Sequence, residues 1–160
     1  MAKYYSPPQA GDIVQCRFPQ DKIRRPGPKE RPALVIDVEE YELPGSSAGI
    51  FVTVAYGTSE DVDHRHPGEI KIESSDPHAG LGLDTKFDIG NRVKLPFDDE
   101  WFAPSPNRRF GDHPKRGMLD TADIHLKRRL SSAVAELKQA ARPKTLDMTS
   151  RLAGRRKTKP

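Results

Sequence analysis

The chain has 160 residues, 34% hydrophobic and 31% charged, with 15 Pro and 12 Gly, a composition that supports one domain with a modest core and a good deal of loop. No apolar run approaches the ~18 residues of a membrane span, the N-terminal residues lack the apolar stretch of a signal peptide, and the single Cys16 excludes an internal disulfide, so the expected setting is a reducing cytoplasm without membrane contact. The net charge of +4 is uneven: residues 142–160 hold seven cations and one anion, while the rest of the chain is slightly acidic at −2.

In chain order, residues 1–9 read as a flexible lead-in, with Pro7-Pro8 opposing helix. Asp12 to Phe18 alternates Ile13, Val14, Cys16 and Phe18 as a first strand that Pro19 ends. A polar, basic, Pro-rich loop follows, carrying Arg24, Arg25 and Lys29. Arg31 to Val38 contains the run Ala33-Leu34-Val35-Ile36, which predicts a central strand covered on both faces. After the turn signal Pro44-Gly45-Ser46-Ser47, Ile50 to Tyr56 is β-branched and aromatic, and Gly57-Thr58-Ser59 breaks it. A short strand is expected over Glu69 to Glu73, and another over Asp84 to Leu95 with a bulge at Gly90.

Residues 96–116 lack any period and are read as a long irregular insert containing Trp101, Phe102, Phe110, Arg108 and Arg109. Gly117-Met118-Leu119 forms a last short strand, and Asp120 or Thr121 caps a helix running to about Ala141 with an apolar stripe of Leu126, Leu130, Ala133, Val134 and Leu137. The organisation is a mainly β domain over 10–141 with one helix, a small, strongly bent barrel or half-barrel, followed by a basic, disordered tail over 142–160.

The chemistry available is narrow. The histidines are scattered; His64-Arg65-His66 offers two imidazoles but no third ligand at a recognisable spacing, so no metal or other cofactor is expected. Cys16 within a strand reads as an inert buried thiol, and no nucleophile-elbow or phosphate-loop pattern is present. What remains is phosphate chemistry by arginine. Arg31 precedes Pro32, which holds it extended at the loop's exit, and Thr58 and Ser59 leave the central strand with free hydroxyls. An arginine fork with a hydroxyl suffices to hold a scissile phosphate, and RNA brings its own nucleophile in the 2′-OH. The competing reading is structural: Arg31 pairs with Glu30 or Asp37 at a strand end.

Gly11-Asp12-Ile13-Val14, then Arg31-Pro32-Ala33-Leu34-Val35-Ile36, then Val52 to Ser59, together with Gly80-Leu81-Gly82-Leu83-Asp84 and Gly117-Met118-Leu119-Asp120, resemble in order the MazF/PemK family of toxins from type II toxin–antitoxin modules. The resemblance implies an SH3-like barrel, a homodimer, and sequence-selective cleavage of single-stranded RNA without a metal, leaving a 2′,3′-cyclic phosphate. It assigns catalysis to Arg31 with Thr58, or Ser59 if the register slips by one. Arg24, Arg25, Lys29, Arg92, Arg108 and Arg109 are then expected to bind substrate, and an antitoxin segment to occlude the groove. Two departures stand out: Gly57 replaces a side chain before the hydroxyls, and Asn91-Arg92-Val93 stands for the family's D-Q-[IV]-R run. The alternative function is an inactive barrel that binds nucleic acid or protein, or a docking factor of a mobile element anchored by Trp101, Phe102 and Phe110; the same aromatics fit stacking on bases or, for Trp101 above all, pinning the long loop to the barrel.

Overall fold

The structure, a computed structural model, describes residues 3–19, 25–43, 48–140, 144–149 and 156–158. Eight strands and one helix occur among them: β1 (Asp12–Cys16), β2 (Arg31–Glu42), β3 (Ala48–Thr58), β4 (Glu69–Ile72), β5 (Thr85–Pro96), β6 (Lys115–Met118), α1 (Ile124–Gln139), β7 (Lys144–Asp147) and β8 (Arg156–Thr158). The main path is antiparallel in the order β4-β5-β3-β2-β1-β6, and no pairing among the described residues joins its two ends. The chain is thus a mainly antiparallel sheet with one helix; the closure expected of a barrel is not among its pairings.

The Ala33-Leu34-Val35 run explains the layering. Alternate side chains of a strand point to opposite faces, and Ala33 and Val35 enter one core with Val14, Val52, Val54 and Phe97, while Leu34 enters a second with Ile13, Ala55, Phe87 and Leu126. Each fully buried aliphatic or aromatic side chain contributes about 1.5–3 kcal/mol, and β2 supplies both sides of the sheet, as a covered central strand should. The helix covers the second core through Leu126, Ala133 and Leu137. Its cap is Asp123, not Asp120 or Thr121: the Asp123 carboxylate accepts from the backbone N–H groups of His125 (2.9 Å) and Leu126 (3.4 Å). Asp120 instead closes the preceding turn, accepting from Ala122 N–H at 3.1 Å. Val134 lies outside the buried stripe and is exposed.

The long insert is irregular but firmly packed. Phe97, Trp101 and Phe102 are buried in the first core, and the segment runs along the β6 side of β1 beyond the paired residues Asp12 to Val14: Arg17 N–H donates to Trp101 O (2.7 Å), Ala103 N–H to Gln15 O (3.2 Å) and Gln15 N–H to Pro114 O (2.9 Å). Trp101 and Phe102 therefore serve the core, which removes them as docking anchors; Phe110 alone of the three stays exposed. The lead-in is also docked, for Tyr5 N–H donates to Phe97 O at 3.0 Å and the two rings meet edge to face. The tail differs from expectation as well. Leu146 and Met148, two residues apart, pack on the first core while β7 runs parallel beside β5, and β8 pairs with β2. A charge count over 142–160 hides that apolar alternation.

One buried acid gives the fold a pH dependence. Asp98 is 4% exposed, and burial pushes its carboxyl from an ordinary 3.8 up to about 6, against the pull of hydrogen bonds from Glu100 and Trp101 N–H. Between pH 4 and 6 the unfolded chain has lost this proton and the folded chain keeps it, so stability falls as pH rises through that window and is flat above it. The expected cost above pH 6 is roughly 3 kcal/mol. Asp98→Asn keeps an acceptor oxygen for the two N–H groups and removes the titration. In thermal melts at pH 4.5, 6 and 8, the variant should gain on wild type as pH rises; a constant difference would exclude Asp98 as the source.

Candidate active site

The end of β2 and the end of β3 meet by register. Ala33 and Tyr56 are the last pair of the β2–β3 ladder; the same register carried on by two residues sets Arg31 opposite Thr58, on one side of the sheet. A cleft of about 380 Å³ opens there, lined by Lys29, Glu30, Arg31, Pro32, Gly57, Thr58, Ser59, Glu60, Gly82, Leu83, Thr85 and Arg116. Arg31 and Thr58 are half-buried and Ser59 and Lys29 exposed.

The ion pair that would make Arg31 a structural residue goes elsewhere. Glu30 accepts from Arg17, at 3.1 Å from Nη2 and 3.3 Å from Nε. Among the described residues the Arg31 side chain makes no hydrogen bond or ion pair, so its fork is open to a ligand. Thr58 Oγ1 accepts from Glu60 N–H at 3.1 Å, which fixes the oxygen and leaves its proton to donate.

Gly57 follows from packing. A Cβ there would lie 2.4 Å from Pro32 O and 2.7 Å from the Phe87 ring. Its place before the hydroxyls is therefore a condition for β2 and β3 approaching closely beside Arg31 and Thr58.

Arg116 is the residue that sequence reasoning missed. In the β1–β6 ladder Ile13 pairs with Gly117 and Val14 with Lys115, so Arg116 is the extra residue of a bulge, turned out of the ladder into the cleft. Its Nη1 donates to Gln15 Oε1 (2.7 Å) and its Nε to Gly80 O (3.2 Å). Burial pushes its pKa below the ordinary value, yet a guanidinium stays charged. The insert supports it: Asn107 Nδ2 donates to Arg116 O (3.0 Å) and Gly80 O (3.2 Å). Gly80 has a φ of +66°, and a Cβ on it would lie 2.0 Å from Arg116 O. Strand alternation gives no signal for a bulged residue. Glu60 and Leu83 were also missed, being single residues in turns.

The other expected cations do not converge. Arg25 is exposed at the base of the loop, where Pro19 and Pro26 bridge; Arg24 lies outside the described residues. Arg92 sits by the bulge of β5, its Nε donating to Ile89 O at 2.7 Å. Arg108 pairs with Asp112. Arg109 donates to Pro77 O at 2.9 Å and lies over the Phe110 ring. Among the described residues, Arg25, Arg92, Arg108 and Arg109 do not line the cleft. Cys16 is fully buried and its thiol pKa pushed well up by burial, in keeping with an inert thiol. The His64 and His66 rings meet edge to face at 4.7 Å, and no group of three or more His, Cys, Asp or Glu among the described residues is placed to hold a metal ion.

A family model described as PemK-like, MazF-like toxin of type II toxin-antitoxin system matches residues 9–93. The chain belongs to this family. Members of the PemK/MazF family are typically mRNA interferases, and a type II module pairs its toxin with a cognate antitoxin. The matched residues carry β1 to β4 and most of β5, including Arg31, Thr58 and Ser59, whereas Arg116 and α1 lie beyond them. No curated protein matches the chain. No helix among the described residues is long and apolar enough to cross a membrane.

Proposed function

We propose that this PemK/MazF-family protein is a sequence-selective endoribonuclease that cleaves single-stranded RNA by transesterification. The observation that carries the reading is the cleft in which an unpaired Arg31 shares a wall with Thr58 and Ser59. The 2′-oxygen of the substrate attacks phosphorus, the bond to the 5′-oxygen breaks, and the proton lost from the 2′-OH ends on the departing 5′-oxygen. The products are a 2′,3′-cyclic phosphate and a 5′-hydroxyl. Arg31 neutralises the charge that gathers on the non-bridging oxygens, and Thr58 or Ser59 donates a hydrogen bond to one of them. Glu60, in the same cleft, is the carboxylate to take up the 2′-OH proton. The substrate's own hydroxyl is the nucleophile, so the reaction needs no metal-bound water.

The sheet is read as the family's SH3-like barrel, working as a homodimer, with an antitoxin segment competing for the cleft; a monomer by light scattering at active concentration would remove the dimer. The test of the chemistry is direct. Purified protein in EDTA should cut total RNA at a short recognition sequence, leaving 5′-hydroxyl ends, and should leave an oligonucleotide with a 2′-deoxy sugar at the cut position intact. Cleavage of the deoxy-substituted strand, or no cleavage of either, would overturn the reading, and the latter would favour a binding module.

A further inference from the structure

We infer that Arg116 and Leu83 form a nucleotide subsite beside Arg31, in which Arg116 holds the phosphodiester next to the scissile one and Leu83 packs against the base attached to it. The inference takes its ligand class, single-stranded RNA, from the endoribonuclease reading. Two independent observations meet in the cleft.

The first is charge. Arg116 is held by neutral acceptors only, Gln15 Oε1 and Gly80 O, and no carboxylate pairs with it among the described residues. A half-buried guanidinium fixed in this way is a preset cation awaiting an anion. It is also a separate cation from Arg31. The two arginines belong to strands on either side of β1, which places those strands about 10 Å apart. Arg116 is tethered by its two acceptors and Arg31 is not. One fixed and one free fork, a strand apart, suit two neighbouring phosphates better than one. The cleft volume of about 380 Å³ is within the range of small-ligand sites, roughly 300–1,000 Å³.

The second is an apolar surface in a charged cleft. Leu83 is 66% exposed, the most exposed large hydrophobic among the described residues, and of the four such residues it alone lines this cleft. It follows the same Gly80–Gly82 turn that holds Arg116. Every base has an apolar face, so a leucine beside a phosphate-binding arginine matches one nucleotide. Asn107, which bonds both Arg116 O and Gly80 O, is a positioning residue for the pair.

The probe is a mixed-sequence 2′-O-methyl RNA octamer, which lacks the attacking hydroxyl, titrated by fluorescence anisotropy between 50 and 200 mM salt. Arg116→Gln should weaken binding about tenfold and reduce the slope of log K against log salt by about 0.7, the loss of one phosphate contact. Leu83→Ala should weaken binding about fivefold with the slope unchanged. Wild-type affinity and slope in Arg116→Gln would overturn the subsite. Should that variant not fold, Leu83→Ala, an exposed change, decides: unchanged affinity overturns the inference. If wild type cleaves RNA while both variants bind like wild type, the subsite fails and the nuclease reading stands. If wild type binds with the expected variant effects yet never cuts a 2′-hydroxyl strand, the nuclease reading fails and the subsite stands. No binding by wild type ends both.

Discussion

Arg31→Ala is expected to lower the rate of RNA cleavage by about 10³-fold, since a preset donor to a developing oxyanion is commonly worth 10²–10³ and Arg31 supplies two donors and the charge. The stability change should be small, within about 0.5 kcal/mol. Glu30 is already engaged by Arg17, and Arg31 has no partner among the described residues that the substitution would strand. Arg31→Lys keeps the charge and loses the fork, so its rate should fall between the two, about 10²-fold below wild type. The readout is cleavage of a fixed RNA under single-turnover conditions beside a thermal melt of each variant. A fall in rate matched by a fall in folded fraction would return Arg31 to a structural role, and full activity in Arg31→Ala would sink the mechanism. Thr58→Val and Ser59→Ala divide the hydroxyl role, because Thr58 Oγ1 is fixed by Glu60 N–H and Ser59 stands exposed. The variant that loses about tenfold or more identifies the donor.

The position of Arg31 beside Thr58 in the cleft could be read from sequence for a local reason. Pro32 restricts its backbone, the β-branched stretch to Tyr56 sets a second strand, and antiparallel register then brings the strand ends together. The two-sided burial of Ala33-Leu34-Val35 and the interruption near Gly90 are local signals of the same kind: the β3–β5 register shifts between Ala55 and Tyr56, leaving Ile89 to Asn91 out of the ladder. Arg116 and Arg92 were illegible for a shared reason. Each lies at an irregularity of the ladder, where alternation no longer tells which way a side chain points, and so one cation enters the cleft and the other turns to Ile89 O. The helix starts two or three residues later than a cap at Asp120 or Thr121 implies: Asp123 is as good a cap by residue type, and the docking of Leu126 into the second core selects it. In the insert, aromatic residues among prolines and arginines read equally as a binding surface or as pins of the loop to the barrel, and local sequence does not choose between the two. The stretch Gln15 to Arg17, beyond the β6 pairing, needed hydrogen-bond partners, and that tertiary demand drew Trp101 and Phe102 inside.

Gly57→Ala should damage both folding and cleavage. The added Cβ would meet Pro32 O at 2.4 Å and two Phe87 ring atoms at 2.7 and 3.0 Å. The carbonyl belongs to the backbone of β2 and cannot rotate away, and Phe87 is fully buried in the second core. β2 and β3 must therefore separate, or Phe87 must leave its rotamer. Overpacking of this kind costs about 1–3 kcal/mol and sometimes more, which for a chain of this size lowers the unfolding midpoint by roughly 3–10 °C. The effect on cleavage should exceed the effect on folding. Pro32 adjoins Arg31 and Gly57 adjoins Thr58, so a shift that relieves the clash also moves the two groups that must reach one phosphate, and small misplacements of reacting groups cost about 10²-fold. Gly57→Ala combined with Phe87→Leu removes the ring contact and leaves the carbonyl contact. It should not restore cleavage. Recovery of wild-type cleavage in the double variant would show that the ring alone required the glycine, and an unaltered midpoint and rate in Gly57→Ala itself would mean that β2 and β3 do not approach closely at the cleft.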